Sequence, residues 1–208
     1  MQDKNQTTID YRAMVAADIE HVPLQCQGST TALHERIADV GASAILAFDG
    51  EQHVAQLQFR RYDENLRSPD SLWDPLYWGD FGAHAPQLPH ATLAVFCFHV
   101  GQLEDSEARD SRYQGRGIGL AMLDYFIRWA EVREFAAIIA KFTPAPRAVM
   151  SFMGGQPEAS YAERGFVTHA SWVDEQLRSV IGEKQILGDD VVADSAATVG
   201  CCVKRLED

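Results

Sequence analysis

The residues best suited by type and spacing to hold a ligand are Tyr113-Gln114-Gly115-Arg116-Gly117-Ile118-Gly119. Glycines at alternate positions free the backbone to turn tightly and let a ligand come close to its N–H groups. A helical pattern starts at once, with Ile118, Ala121, Met122, Tyr125 and Trp129 recurring on one face. A glycine loop feeding a helix N-terminus offers unpaired donors and about half a unit of positive charge, a combination that suits phosphate. The spacing predicts a pyrophosphate cradle; the plainer alternative is a turn that caps a core helix. Leu120-Ala121 stands where a P-loop needs Lys-Ser or Lys-Thr, and the polar run Gln102 to Arg112 stands where a dinucleotide fingerprint needs an apolar strand. Both of those readings are disfavoured.

A second stretch, Ser160-Tyr161-Ala162-Glu163-Arg164-Gly165-Phe166-Val167, has its own local logic. Pro157 suits a first helical position, Gly165 a left-handed cap, and Phe166-Val167 the start of a strand. Gln114 to Gly119 resembles the Q/R-x-x-G-x-G/A motif of the GCN5-related N-acetyltransferases, the GNAT family. Ser160 to Val167 is similar to that family's Y-x-x-x-G-F segment. The resemblance covers residues 91–170 by motif and the rest by order of elements.

The resemblance implies an α/β fold whose central mixed, mostly antiparallel sheet of about seven strands is splayed between strands 4 and 5 and flanked by helices. It implies acetyl-CoA as cofactor and a primary amine, of a small molecule, as acceptor. The amides of Gln114, Gly115, Arg116, Gly117, Ile118 and Gly119 would hold the coenzyme A pyrophosphate. The backbone of Phe98, His99 and Val100 would meet the pantetheine arm and polarise the thioester carbonyl. Tyr161 would protonate the leaving thiolate, since a phenol near pKa 10 is a competent acid toward a thiol near 8.5; its other reading is a core tyrosine. For a base the candidates are Glu104 and His99, at or just beyond the end of the fourth strand, which read equally as a solvated loop charge and a satisfied strand histidine. In the family the strand reaches the loop within a few residues, whereas Gly101 to Arg112 are interposed here. A non-catalytic acyl-CoA-binding module or an assembly subunit is the alternative to an enzyme.

The 208 residues suit one domain, 1–208. With 18 basic and 30 acidic side chains the net charge is −12, so nucleic acid is not an expected partner. Cys26, Cys97, Cys201 and Cys202 lack Cys-x-x-Cys spacing, so neither a metal nor a disulfide framework is expected. No run approaches about 18 apolar residues and the start has no apolar leader, which leads to the expectation of a soluble cytoplasmic protein without a membrane partner.

The elements that must position these groups follow in order. Residues 1–6 read as a frayed end, Thr7 to Met14 as a strand, and Ala16 to Ile19 as a helical start; Arg12 six residues before Asp18 is similar to the family's opening. A helix is expected over Thr31 to Val40, stopped by Gly41. Strands Ser43–Phe48 and His53–Arg60 join through Asp49-Gly50, a strong hairpin signal. In the second, Ala55, Leu57 and Phe59 should face the core and Gln56, Gln58 and Arg60 water. Ala91–Val100 reads as the central fourth strand, a helix follows to Phe135, and Ala136–Phe142 is the fifth strand. Thr143 to Gln156 reads as a long loop, Val167–Val173 and Thr198–Leu206 as the last strands, and Asp174–Ala197 as a connection with one short helix.

Residues 61–89 break every period, with Pro69, Pro75, Pro86 and Pro89 among Trp73, Tyr77, Trp78, Phe81, Asp63, Glu64, Asp70, Asp74 and Asp80. A structureless segment this long inside a compact domain is usually functional or mis-assigned. It reads either as a lid lining the acceptor pocket with acids and aromatic faces, which suit an amine, or as a packed loop or subunit contact in a homodimer.

Overall fold

Ser29 and Gly41 bracket a helix by side-chain and backbone chemistry alone. Ser29 Oγ accepts the Ala32 N–H at 3.2 Å, and Gly41, at φ 91°, donates its N–H to Ile37 O at 2.8 Å. Between them runs α1, Thr30–Val40. The computed structural model describes residues 8–206 except 71, 73, 107, 145 and 189–192, so the expectations for 1–6, Thr7 and Trp73 lie outside the described residues. The strands are β1 (Ile9–Ala13), β2 (Ala44–Asp49), β3 (Gln52–Arg61), β4 (Thr92–Val100), β5 (Ala137–Phe142), β6 (Val167–Val173) and β7 (Thr198–Arg205). The remaining helices are α2 (Ile118–Val132), α3 (Arg147–Met153), α4 (Glu158–Ala162), α5 (Glu175–Glu183) and α6 (Ala193–Ala197). Among the described residues no helix is long and apolar enough to cross a membrane.

The strands form one mixed sheet in the order β1-β2-β3-β4-β5-β7-β6. Gly101 N–H reaches Val54 O at 2.8 Å and Tyr62 N–H reaches Thr92 O at 2.9 Å, so β3 and β4 run antiparallel. β4 and β5 are parallel, in register from Thr92↔Ala137 to Val95↔Ala140. There the pairing ends, although β4 continues to Val100 and β5 to Phe142.

Two compact units share the chain. One holds residues up to Gln58 with Phe98–Trp129, the other Phe59–Cys97 with Ala130 onward. In the first, Arg12 grips Asp18 through two hydrogen bonds of 2.7 and 2.6 Å, and the Val15 N–H adds a third at 2.8 Å; the expected helical start is a single 3₁₀ turn, Ala16–Asp18. The expected wet face of β3 is a correction. Gln56 and Gln58 are fully buried, because the Pro23–Gln27 segment covers them. Gln56 donates to Pro23 O at 2.8 Å and accepts from Gln27 at 3.0 Å, and Gln58 donates to Leu24 O at 3.3 Å. Alternating amides can be buried when another backbone supplies the acceptors.

In the second unit, the described residues of 61–89 pack as a layer on the sheet. Phe81, 1 % exposed, packs with Ala94, Ile139 and Cys201, and Tyr62, Leu88 and Trp172 close around them. Tyr62 Oη donates to Pro86 O at 2.8 Å, and the His84 ring stacks on Trp172 at 4.5 Å. The stretch expected as a loop, 143–156, contains α3: Pro146 occupies its N-cap and Gly154, at φ 61°, its left-handed C-cap. The connection 174–197 holds two helices, α5 and α6, instead of one.

If the insert is a structural layer, Phe81→Ala should lower stability by about 3–5 kcal/mol in denaturant unfolding. A loss below about 1 kcal/mol would show that the ring is not a core residue.

Candidate functional site

The first candidate lies in the first unit, where the chain leaves β4. Gly101 accepts the Asp110 N–H at 2.7 Å, so the chain returns at Asp110 to the point it left. Gly101 sits at φ +79°, and a Cβ there would meet Asp110 O at 2.5 Å, a clash with backbone that only glycine avoids. The interposed residues therefore lengthen the sequence between strand and loop without separating them in space.

From Asp110 a 3₁₀ turn, Ser111–Tyr113, leads into the glycine loop. Tyr113 anchors it: its ring is buried and its hydroxyl donates to Asp49 Oδ2 at 3.1 Å on the β2–β3 hairpin. Gly115 and Gly117 have φ of +69° and +75°, and nothing lies within 4 Å of where a Cβ would stand on either. Ala121 N–H bonds Gly117 O at 2.9 Å as the helical ladder starts, which leaves the N–H groups of Ile118, Gly119 and Leu120 without partners further back in the helix. The Arg112 and Arg116 guanidinium groups lie 5.6 and 5.8 Å from the Tyr113 ring centre. Arg112 is committed to Asp110 at 2.6 Å, whereas Arg116 has no carboxylate within 4.0 Å among the described residues. Open backbone, helix N–H donors and a nearby cation together fit a pyrophosphate.

The residues beside the cradle divide. Phe98 and His99 are buried and Val100 is half-buried, at the end of β4. His99 Nδ1 is held by Gln102 Oε1, and its buried Nε2 has no hydrogen-bond partner among the described residues. On β3, His53 is buried, and burial pushes its pKa down to about 4, so it is neutral. Glu104 is exposed on the looped-out excursion, where its carbonyl accepts from Gln25 Nε2 at 2.7 Å. Tyr161 belongs to the second unit: it lies on α4, is 1 % exposed, and packs edge-on against Phe166 at 5.2 Å. Burial, with the Cys202 and Cys97 thiols adding to it, raises its pKa well above 10. Pro157 caps α4 one residue earlier than expected, and Gly165 takes φ +80° as expected.

No family model matches the sequence, and no curated protein matches it either. Solved structures do match. The GNAT-family acetyltransferase from Streptococcus pneumoniae is 12 % identical with a TM-score of 0.53, over 96 % of this chain and 100 % of that one. A GNAT-like decarboxylase in complex with isobutyryl-CoA is 11 % identical with a TM-score of 0.52, over 95 % of this chain and 100 % of its own. The chain has the GNAT fold. Its seven-stranded mixed sheet and parallel β4–β5 pair agree with that assignment.

The structure also holds a feature that the sequence pattern did not flag. In the second unit a cavity of about 370 Å³ opens at the C-terminal ends of β5 and β6, walled by the 61–89 layer and the start of α5. Lys141 projects into it, 5 % exposed. Its Nζ lies 4.3 Å from the Trp78 ring centre, 5.6 Å from Trp172 and 3.9 Å from Asp174 Oδ2, with no hydrogen-bond acceptor in reach among the described residues. Burial pushes its pKa down to about 8, although Asp174 and Asp80 favour the charge. The signal was present: Ala-Ile-Ile-Ala-Lys-Phe is a buried strand interrupted by a single charge.

The lysine has a thermodynamic signature. Its folded pKa of about 8 lies below the usual 10.5, so below pH 8 it is charged in both states and the desolvation penalty is present in full. Between pH 8 and 10.5 the folded protein has released the proton while the unfolded chain retains it, so stability rises with pH in that window. The relief is roughly 3 kcal/mol. Lys141→Met should therefore gain most over wild type near pH 7, and the difference should narrow as pH rises past 8 toward 10.5. Unfolding titrations showing a pH-independent difference would contradict this.

Proposed function

We propose that this chain transfers an acetyl group from acetyl-CoA to the primary amine of a small molecule. The observation that carries the proposal is the cradle: two positive-φ glycines, open in front, feeding a helix whose first N–H groups are unpaired. The solved neighbour with isobutyryl-CoA, a GNAT-like decarboxylase, supports the cofactor part of the proposal, since that protein pairs the same fold with an acyl-CoA. Bound here, the cofactor would supply a thioester, an acetyl group activated toward amines.

The chain's own groups then have separable tasks. The amides around Gly115 to Gly119 and the helix dipole hold the pyrophosphate, and Arg116 adds a cation beside it. The backbone at Phe98, His99 and Val100 orients the pantetheine arm. Tyr161 keeps its proton at physiological pH, which excludes it as a base, and burial makes it a weaker acid than a free phenol, so an acid role would rest on its position. Neither base candidate gains support, because Glu104 is exposed on an excursion and His99 is committed to Gln102 at one nitrogen. An amine that arrives neutral needs no base. A second reading, acyl-CoA binding without turnover, draws on the near-complete burial of Tyr161.

Two variants test these points. Gly117→Ala puts a methyl group into the open face of the cradle and should weaken coenzyme A binding at least tenfold, about 1.4 kcal/mol; unchanged affinity by calorimetry would remove the cradle. Tyr161→Phe deletes only the hydroxyl. If Tyr161 is the acid, kcat for thiol release with a good acceptor should fall about 10²–10⁴-fold with coenzyme A affinity retained. A core role predicts normal kcat and a lowered melting temperature instead.

A further inference from the structure

A lysine inside an apolar strand needs something that its own fold does not provide. Lys141 has aromatic faces at 4.3 and 5.6 Å and a carboxylate at 3.9 Å, yet its donors meet no acceptor at hydrogen-bond distance among the described residues. The neighbouring carboxylates are committed elsewhere. Asp80 accepts from the Ser68 N–H and hydroxyl at 2.7 and 3.0 Å and from the Gly82 N–H at 2.8 Å. Asp174 caps α5 through the Leu177 N–H at 3.0 Å, while Glu175 pairs with Arg178 at 3.4 Å and keeps its place on the lining. The ammonium is thus neutralised at a distance but not hydrogen-bonded, and it points into a cavity large enough for a small ligand.

Charge restricts what that ligand can be. A simple anion would meet Lys141 but also Asp74, Asp80, Asp174 and Glu175, all on the lining. A simple cation would meet those acids but confront the ammonium already held among the rings. A molecule with both charges satisfies both, and the indoles of Trp78 and Trp172 offer flat apolar faces for the remainder. We infer that the cavity binds a zwitterionic α-amino acid with an aromatic or large apolar side chain, its carboxylate on Lys141 and its ammonium toward Asp74 and Glu175. This rests on the acetyl-transfer reading only in making that amino acid the acceptor; the binding itself needs no coenzyme.

The test is calorimetric titration of the full chain, without coenzyme A, using phenylalanine, tryptophan and leucine beside phenethylamine and 3-phenylpropionate. At least one amino acid should bind at millimolar affinity or better. Phenylalanine should bind at least tenfold tighter than phenethylamine, which lacks the carboxylate, and than phenylpropionate, which lacks the amine. Lys141→Met should abolish the preference over phenethylamine while its melting temperature at pH 7 is not lowered. Equal binding of phenylalanine and phenethylamine, a preference that survives Lys141→Met, or no binding by any amino acid would overturn the inference. Amino-acid binding with no acetylation of any amine once acetyl-CoA is added would sink the transferase reading and leave this one standing. Acetylation of another amine by a chain that binds no amino acid would do the reverse.

Discussion

The hydrogen bond from Asp110 N–H to Gly101 O, 2.7 Å long, is the constraint on which the coenzyme cradle depends. It returns the chain to the end of β4 after an excursion that would otherwise carry the glycine loop away from the strand. The bond requires close approach of two backbones, and that approach requires glycine at 101, because any Cβ would strike Asp110 O. Once the return is made, Tyr113 fixes the loop to the β2–β3 hairpin and α2 presents its unpaired amides. Glycine therefore serves two different purposes within this stretch. At 101 it permits contact, and at 115 and 117 it keeps a space open.

In the second unit the governing fact is the burial of a charge. An ammonium removed from water costs several kcal/mol unless carboxylates or ring faces replace the solvent. Lys141 has both, supplied by the 61–89 layer, β6 and the turn into α5. The same layer supplies Phe81 to the core beneath. One irregular segment thus covers apolar sheet and builds a polar cavity, and its mixed composition of acids and aromatics is the trace of those two tasks.

How much of this could be read from sequence varied with the kind of signal. Local rules worked: Gly41 and Gly165 end their helices, Asp49-Gly50 turns the hairpin, and the glycine loop precedes α2. They would also have found α3, since Pro146 and Gly154 bracket it in the usual order, but the clustering of prolines and glycines suggested a loop. Tertiary cover is what sequence concealed. Gln56 and Gln58 alternate like a solvated strand face, and only the carbonyls of Pro23 and Leu24 make them interior residues. Lys141 was overlooked because a short apolar run outweighs one charge in a pattern count, whereas in energy the single charge dominates. Tyr161 was placed on its helix by motif, but its 1 % exposure was beyond what periodicity could report.

The central claim is that the loop from Gln114 to Gly119 binds a pyrophosphate. Calorimetric titration with coenzyme A and, separately, with pantetheine, which carries the thiol arm without the nucleotide and pyrophosphate, tests it most directly. The account predicts that coenzyme A binds at least tenfold tighter, with the difference shrinking as salt screens the phosphate charges. Equal affinity for the two ligands at low salt, or no binding of coenzyme A, would contradict it.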